Sequence, residues 1–196
     1  MPLLPFLLFV LISSFTPGPN NFMAMTFATK YGLKKTLKFC IGVGLGFFTL
    51  ILLCSIFNHL LIKIMPSIKT PLTILGISYM LYLAFKTIKD NGTDDKKNNS
   101  NEKKNLFVIG FLVQFINPKG ILYGVTVVSS FIHPYYNSYI IYFIYALFLG
   151  FVGIVSSSSW SLFGTIFQKF LDKYRSLFNI IMALLLVYSA ISIIIH

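Results

Sequence analysis

The sequence predicts an all-helical integral membrane protein with six transmembrane helices. Of its 196 residues, 56% are hydrophobic and only 11% are charged, whereas soluble domains carry roughly a quarter charged residues. The mean hydropathy is +0.80, and six apolar runs approach the roughly 20 residues that a spanning helix needs. We expect a single transmembrane domain over residues 1–196, because no polar stretch is long enough for a separate soluble domain.

The six predicted spans follow one another with short connectors. They cover residues 3–29, 39–62, 71–86, 106–132, 138–167 and 176–195. The first is expected to be a retained helix rather than a cleaved signal peptide. It has no basic residue before Lys30 and no small-residue cleavage pattern.

The distribution of basic residues predicts the orientation of the spans. The first, third and fifth connectors carry 13 of the 16 lysines and arginines, and the second carries two. Connectors rich in Lys and Arg stay on the cytoplasmic side, so both termini are predicted to lie outside. Residues 90–104 are predicted to form a solvated cytoplasmic loop between two halves of the chain. This topology also explains the net charge of +11, and we expect no nucleic-acid partner.

The first predicted span is interrupted by Thr16-Pro17-Gly18-Pro19-Asn20, inside a run without charge. A proline in a helix interior removes a backbone donor, and its ring clashes with the carbonyl four residues earlier. In lipid, a freed carbonyl is costly unless protein or water satisfies it. Such a break is therefore expected where the backbone lines a cavity.

The fourth predicted span is interrupted in the same way by Asn117-Pro118-Lys119-Gly120, about midway along its length. Spans one and four occupy corresponding positions in two halves of three spans. Because three is odd, the second half enters the membrane in the opposite direction, which gives a 3+3 inverted repeat. Interrupted segments at corresponding positions point to the binding site of a transporter. Either break alone is better explained as a packing kink, but the two together favour a site.

The two breaks are predicted to form the anion-binding pole of this site. In the predicted orientation, the half-helices after Pro19 and Pro118 both aim their amino ends at the membrane midplane. Unpaired N–H groups and the helix dipole favour an anion there, and Thr16 and Asn117 are the predicted N-caps. Lys119, the only basic residue deep within an apolar run, adds a full charge unless it snorkels to an interface.

The same breaks can also bind a cation, so the site suits a zwitterion. The prolines are expected to free the carbonyls of Ser13, Phe15 and Gln114, and neighbouring amide side chains can join them around an ammonium. The predicted substrate-binding residues are Thr16, Pro17, Gly18, Pro19, Asn20, Asn21, Gln114, Asn117, Pro118 and Lys119.

Two other functions are less well supported by the residues. An exporter of metal or other small ions would need clustered oxygen or sulfur ligands, and no Asp, Glu or His cluster lies in a predicted helix core. A membrane-embedded enzyme would need a nucleophile with a base, or a metal set. We therefore expect no catalytic residue, no cofactor and no metal site. The glycines at 42, 44 and 46 are interpreted as close helix packing.

These motifs, together with the Gly-rich second span, resemble the lysine-exporter/homoserine–threonine-exporter (LysE/RhtB) superfamily over nearly the whole chain. Residues 16–21, Gln114-Phe115 with residues 122–126, and residues 179–188 are most similar to its branch that exports cysteine and O-acetylserine. The resemblance implies a six-helix exporter of small amino acids and their derivatives in the cytoplasmic membrane, driven by exchange of a proton or another ion. The coupling residue and the existence of a homodimer are left open.

Overall fold

The computed structural model describes residues 1–89, 105–167 and 174–195. Within them the chain forms eight α-helices and one π-helical turn. In chain order these are α1 (Leu3–Phe15), α2 (Pro19–Tyr31), α3 (Leu33–Ile56), α4 (Asn58–Lys89), α5 (Leu106–Ile116), α6 (Pro118–Val127), the π-helical turn (Val128–Ile132), α7 (Tyr139–Ile166) and α8 (Arg175–Ile195). The predicted loop 90–104 lies outside the described residues.

The first predicted span is broken where the prolines require it. Helix α1 ends at Phe15, α2 begins at Pro19, and their axes differ by 46°. Thr16 was predicted to cap the second half-helix, but it is the C-cap of α1, with an extended ψ of 149°. Gly18 takes the N-cap position of α2, because the residue before Pro19 is driven out of helical conformation. The prediction for Thr16 as an N-cap was therefore wrong by two residues.

The first connector is a single residue rather than a loop. Gly32 separates α2 from α3 with φ of 80°, a conformation that costs little only for glycine. Lys34, Lys35 and Lys38, which the sequence placed between two spans, lie inside the first turns of α3. Sequence reasoning started this helix too late because it followed hydrophobicity rather than helical geometry.

The boundary between the second and third predicted spans also differs from the prediction. The sequence placed a connector between residues 62 and 71, but the chain turns at Phe57, where φ is −95° and ψ is 16°. Helix α4 then runs without interruption from Asn58 to Lys89, through Pro66 and Pro71. The helix continues through both prolines, so the predicted connector between residues 62 and 71 was wrong.

The second predicted break is present at the expected residues. Helix α5 ends at Ile116 and α6 begins at Pro118, and the two parts of this span differ in direction by 65°. Asn117 is the N-cap of α6, as predicted, with an extended ψ of 105° and Pro118 in the first helical position. Both predicted broken helices are thus confirmed as broken.

The described helices have the lengths and surfaces of a membrane protein. By length and apolar character, α3 and α7 can each cross a membrane, and each bent pair adds one more candidate if it counts as one span. Large apolar side chains point outward, including Leu4 at 68%, Ile140 at 73% and Leu184 at 62% exposed. Such surfaces are stable in lipid rather than in water. The described part of the chain is all-helical, with two to four candidate spans.

Helix α3 lies at the centre and packs against both α5 and α7, while α4 packs against α8. Glycines allow these close contacts. A Cβ on Gly150 would lie 2.9 Å from the Gly44 carbonyl oxygen, and one on Gly46 would lie 2.5 Å from that of Phe111. The predicted role of these glycines in helix packing is consistent with this geometry. The core beside the breaks is built around Phe6, Ile51 and Val127.

Candidate functional site

A cavity of about 60 Å³ lies between the two breaks, against α3 and α7. One water molecule needs roughly 10–15 Å³ of such space, so the cavity holds a few waters or one small polar molecule. Its lining residues come from α1, α2, α3, α5, α6, α7 and the two breaks. They are Ser13, Ser14, Gly18, Pro19, Asn20, Asn21, Val43, Phe47, Gln114, Asn117, Lys119, Gly120, Tyr123, Gly153, Ser156 and Ser157.

Seven of the ten predicted site residues line this cavity, and the other three contact neighbouring residues. Thr16 and Pro17 accept hydrogen bonds from the Lys119 ammonium. Pro118 packs against α4, where a Cβ on Gly76 would lie 2.5 Å from its Cγ. The structure thus brings both broken segments together around one polar space.

Lys119 crosses from the second break to the first. Its Nζ donates to Thr16 Oγ1 at 2.8 Å, to the Thr16 carbonyl at 3.2 Å and to the Pro17 carbonyl at 3.2 Å. An ammonium has three N–H donors, so all three are used. Gly18 makes room for this side chain, because a Cβ there would lie 3.1 Å from Lys119 Cδ.

Side chains also satisfy the carbonyls that the first break exposes. Asn21 Nδ2 donates to Ser14 O at 2.8 Å and to Thr16 O at 3.1 Å, and Ser156 Oγ donates to Ser14 O at 2.6 Å. The Trp160 indole donates to Phe15 O at 3.2 Å. The Phe15 carbonyl, which was expected to bind the substrate, therefore already has a donor.

An amide bridge forms a second link between the two breaks. Asn20 Nδ2 donates to Gln114 Oε1 at 2.9 Å, and Gln114 Nε2 donates to the Gly110 carbonyl at 3.3 Å. Among the described residues, the buried side-chain atoms without a hydrogen-bond partner are Asn20 Oδ1, Asn117 Oδ1 and Asn58 Nδ2. Two of these three atoms are acceptors on residues that line the cavity.

The helix starts at the breaks add backbone donors to the same space. Helices α2 and α6 both begin with proline, and the next two N–H groups of each precede the first intrahelical bonds, which are made by Phe22 and Ile121. Asn117 makes no side-chain cap bond to α6. The lining residues therefore include those with N–H donors at two helix starts and two with unpaired amide oxygens.

Sequence reasoning missed several residues that line the cavity. Tyr123 lies one turn after the second break, where its hydroxyl is 3.1 Å from Ser14 Oγ and its ring packs on Phe9 and Phe47. Ser157 lines the cavity beside Ser156. Ser156 both lines the cavity and hydrogen-bonds to the Ser14 carbonyl of α1. A polar residue one turn beyond a break is a signal that could have indicated Tyr123.

The site contains one formal charge from the described residues. All five acidic residues of the chain fall at positions 90–104 and 168–173, so the described helices contribute no carboxylate. No group of three or more His, Cys, Asp or Glu side chains in the described part of the chain could hold a metal ion. The arrangement can bind a small polar molecule through hydrogen bonds and through the charge of Lys119.

Outward-facing apolar helices, with a cavity lined by several polar side chains at two helix breaks, are typical of a membrane transport protein. A family model described as LysE type translocator matches residues 11–196. The chain therefore belongs to the LysE family of translocators, which confirms the resemblance found in the sequence. Membership also confirms the prediction of a transporter and not an enzyme.

Named relatives cover almost the whole chain. The cysteine/O-acetylserine efflux protein of Salmonella choleraesuis (strain SC-B67) is 36% identical over 193 residues, which cover 98% of this chain and 97% of that protein. The cysteine/O-acetylserine efflux protein of Escherichia coli (strain K12) is 34% identical over 185 residues, with coverage of 94% and 93%. No solved structure gives a significant match.

Proposed function

We propose that the protein is a secondary active exporter of a small amino acid or derivative, of the cysteine/O-acetylserine or homoserine/threonine kind. The family and the names of the relatives support this class of substrate. Export proceeds by alternating access around the cavity between the two breaks. The proposed location is the cytoplasmic membrane, which the chain crosses several times.

The observation that carries the proposal is the pair of unpaired acceptors on two residues that line the cavity. A buried amide oxygen without a partner is costly, and Asn20 Oδ1 and Asn117 Oδ1 are both in this condition. A substrate ammonium donates to both oxygens and removes this cost. We assign these two oxygens, one from each break, to the ammonium pole.

The carboxylate pole lies at the starts of α2 and α6. The free N–H groups after Pro19 and Pro118 and the positive ends of two helix dipoles favour an anion, and the Lys119 ammonium adds its charge. The remaining predicted site residues shape the breaks that hold these groups. Val43, Phe47 and the serines of α1 and α7 surround the space left for a small side chain.

The architecture proposed for transport is a six-span 3+3 inverted repeat with both termini outside. In this scheme the spans are α1 with α2, α3, α4, α5 with α6, α7 and α8. Exchanging the two halves places α3 on α7 and α4 on α8. The α3–α7 contact is therefore equivalent to itself under the exchange, and so is the α4–α8 contact. At the level of whole spans, the packing of the α1–α2 span on α7 exchanges with that of the α5–α6 span on α3, although α2 and α5, which make most of these contacts, are not equivalent half-helices. This symmetry supports corresponding roles for the two breaks.

The energy source in this proposal is exchange of a proton or another ion, as the resemblance implies. A homodimer is compatible with the outward-facing apolar surfaces. The mass of the purified protein in detergent would decide whether one forms.

The ammonium pole is tested with Asn117→Ala. Asn117 makes no side-chain cap bond, so the substitution removes an acceptor without removing an observed cap. A hydrogen bond to a charged group contributes about 1.5–3 kcal/mol, so O-acetylserine should bind roughly ten- to a hundredfold more weakly in purified protein. Asn137→Ala, at an exposed position before α7, is the matched control and should bind normally.

A substrate analogue separates the two poles. 3-Acetoxypropionate has the carboxylate of O-acetylserine but lacks the ammonium, so its affinity should be the same in Asn117→Ala and in the unmodified protein. Unchanged affinity of Asn117→Ala for O-acetylserine would show that the substrate ammonium does not bind at Asn117. Equal losses for both ligands would show that the substitution damages the cavity rather than the ammonium pole.

A further inference from the structure

Lys119 links the two breaks and has no carboxylate partner among the described residues. Its ammonium donates to three oxygens of the first break, which belong to Thr16 and Pro17, while its backbone begins α6. The side chain thereby ties the start of α6 to the gap between α1 and α2. It also lines the cavity, so a ligand in the cavity reaches it.

Each of the three oxygens has another hydrogen bond besides that from Lys119. The Thr16 carbonyl also accepts from Asn21 Nδ2 at 3.1 Å, and the Pro17 carbonyl also accepts from Ser189 Oγ at 2.8 Å. Thr16 Oγ1 donates its own proton to Ser13 O at 3.4 Å. If the ammonium leaves, none of the three oxygens loses its last partner.

The Lys119 ammonium, unlike the three oxygens, has no other hydrogen-bond partner among the described residues besides these oxygens. A buried cation without acceptors is strongly unfavourable, and the only charged group that can replace three oxygens is an anion in the cavity. Withdrawal is therefore cheap for the first break, and Lys119 can keep its proton on withdrawal only when a carboxylate is present. This asymmetry makes the link conditional on the ligand.

We propose that Lys119 is a substrate-operated pin, which fastens α6 to the first break until the carboxylate of the substrate draws its ammonium away. This inference rests on the proposed function, because it requires a carboxylate-bearing substrate in this cavity. Release frees α6 to move relative to α1 and α2, as alternating access requires. An amine without a carboxylate leaves the pin in place.

The accessibility of the native Cys54 reports this movement. Cys54 is buried between α3 and α6, where a Cβ on Gly124 would lie 3.5 Å from its Sγ. When α6 moves, Cys54 becomes accessible to a membrane-permeant maleimide. The experiment uses purified Cys40→Ala protein, in which Cys54 is the only thiol, and measures the labelling rate with and without ligand.

We expect O-acetylserine to accelerate labelling roughly tenfold, the lower end of what a charged contact contributes, and its carboxyl methyl ester to have no effect. Lys119→Met keeps the stem but lacks the charge, so its Cys54 should label rapidly without ligand. Thr16→Val removes the 2.8 Å contact at constant size and should label at an intermediate rate. Lys38→Met changes an exposed lysine of α3 and should behave as the parent protein.

The proposed role of Lys119 would be contradicted if the methyl ester accelerated labelling of Cys54. Slow, ligand-sensitive labelling in both Lys119→Met and Thr16→Val would also contradict it. Thermal unfolding with O-acetylserine separates this failure from that of the proposed function. If the ligand raises the unfolding temperature of the parent without changing its labelling, the site stands and the pin is wrong. If it changes neither, both proposals fail.

Discussion

Replacing Gly46 with alanine should damage the packing of α3 on α5 and disturb the cavity at the same time. A Cβ at this position would lie 2.5 Å from the Phe111 carbonyl oxygen and 2.8 Å from Gln114 Cγ. Ordinary contacts begin at 3.4 Å, so the backbone oxygen must retreat by about 3.4 − 2.5 = 0.9 Å. A backbone oxygen inside a helix cannot rotate away, and α5 must shift as a unit.

The size of the effect follows from overpacking. Extra methylenes in a well-packed core typically cost about 1–3 kcal/mol, against a gain of up to about 1 kcal/mol because alanine favours helix over glycine. Gly153 in α7 offers the matched control, since a Cβ there would have its nearest atom at 3.7 Å. Gly153→Ala receives the same helical gain without the clash. The two variants should therefore differ in unfolding free energy by about 1–3 kcal/mol.

The assay is thermal unfolding of both variants in detergent. Unfolding is monitored as the fraction of protein that remains monodisperse after heating to each temperature. Gly46→Ala should unfold at a lower temperature than the unmodified protein, and Gly153→Ala at an equal or higher one. Gln114 accepts a hydrogen bond from Asn20 Nδ2 at 2.9 Å. Because the added methyl group would displace Gln114, Gly46→Ala should also weaken O-acetylserine binding. A Gly46→Ala protein as stable as Gly153→Ala would refute the packing deduced for α3 and α5.

Two further predictions concern orientation and the wall of the cavity. In protein lacking Cys40 and Cys54, Asn137→Cys should react with an impermeant thiol reagent in intact cells and Asn98→Cys should be protected; the reverse pattern would contradict the orientation. Tyr123→Phe keeps the ring contact with Phe47 at 4.9 Å but loses the hydroxyl contact at 3.1 Å to Ser14 Oγ. It should cost about 1 kcal/mol of unfolding free energy, measured by thermal unfolding, and an unchanged transition would show that the contact contributes nothing.

The two breaks could be predicted from the sequence because proline acts locally. Pro17, Pro19 and Pro118 each remove a donor whatever surrounds them, and the structure ends α1 and α5 just before these residues. The same local rule failed in α4, where Pro66 and Pro71 stay inside a helix. Pro118 is a single proline like Pro66 and Pro71, so the number of neighbouring prolines does not decide which of them ends a helix.

The partners of the exposed carbonyls could not be predicted from local sequence. The Phe15 carbonyl meets Trp160 and the Pro17 carbonyl meets Ser189, residues more than a hundred positions away in the chain. Only the packing of α7 and α8 beside the first break decides these pairings. Sequence reasoning therefore found which atoms the break exposes, and tertiary structure determines which of them remain available to a ligand.

The charge balance of the site gives a reason for the preference proposed for neutral zwitterions. With Lys119 on the oxygens of Thr16 and Pro17, the cavity has one positive charge and no carboxylate from the described residues. A bound zwitterion leaves that total unchanged, because its carboxylate offsets its own ammonium. An amine alone would add a second positive charge at short range, where two unit charges at 4 Å repel by about 4 kcal/mol at an effective dielectric constant of 20. The proposed site thus rejects amines by repulsion and admits amino acids because they bring their own counter-charge.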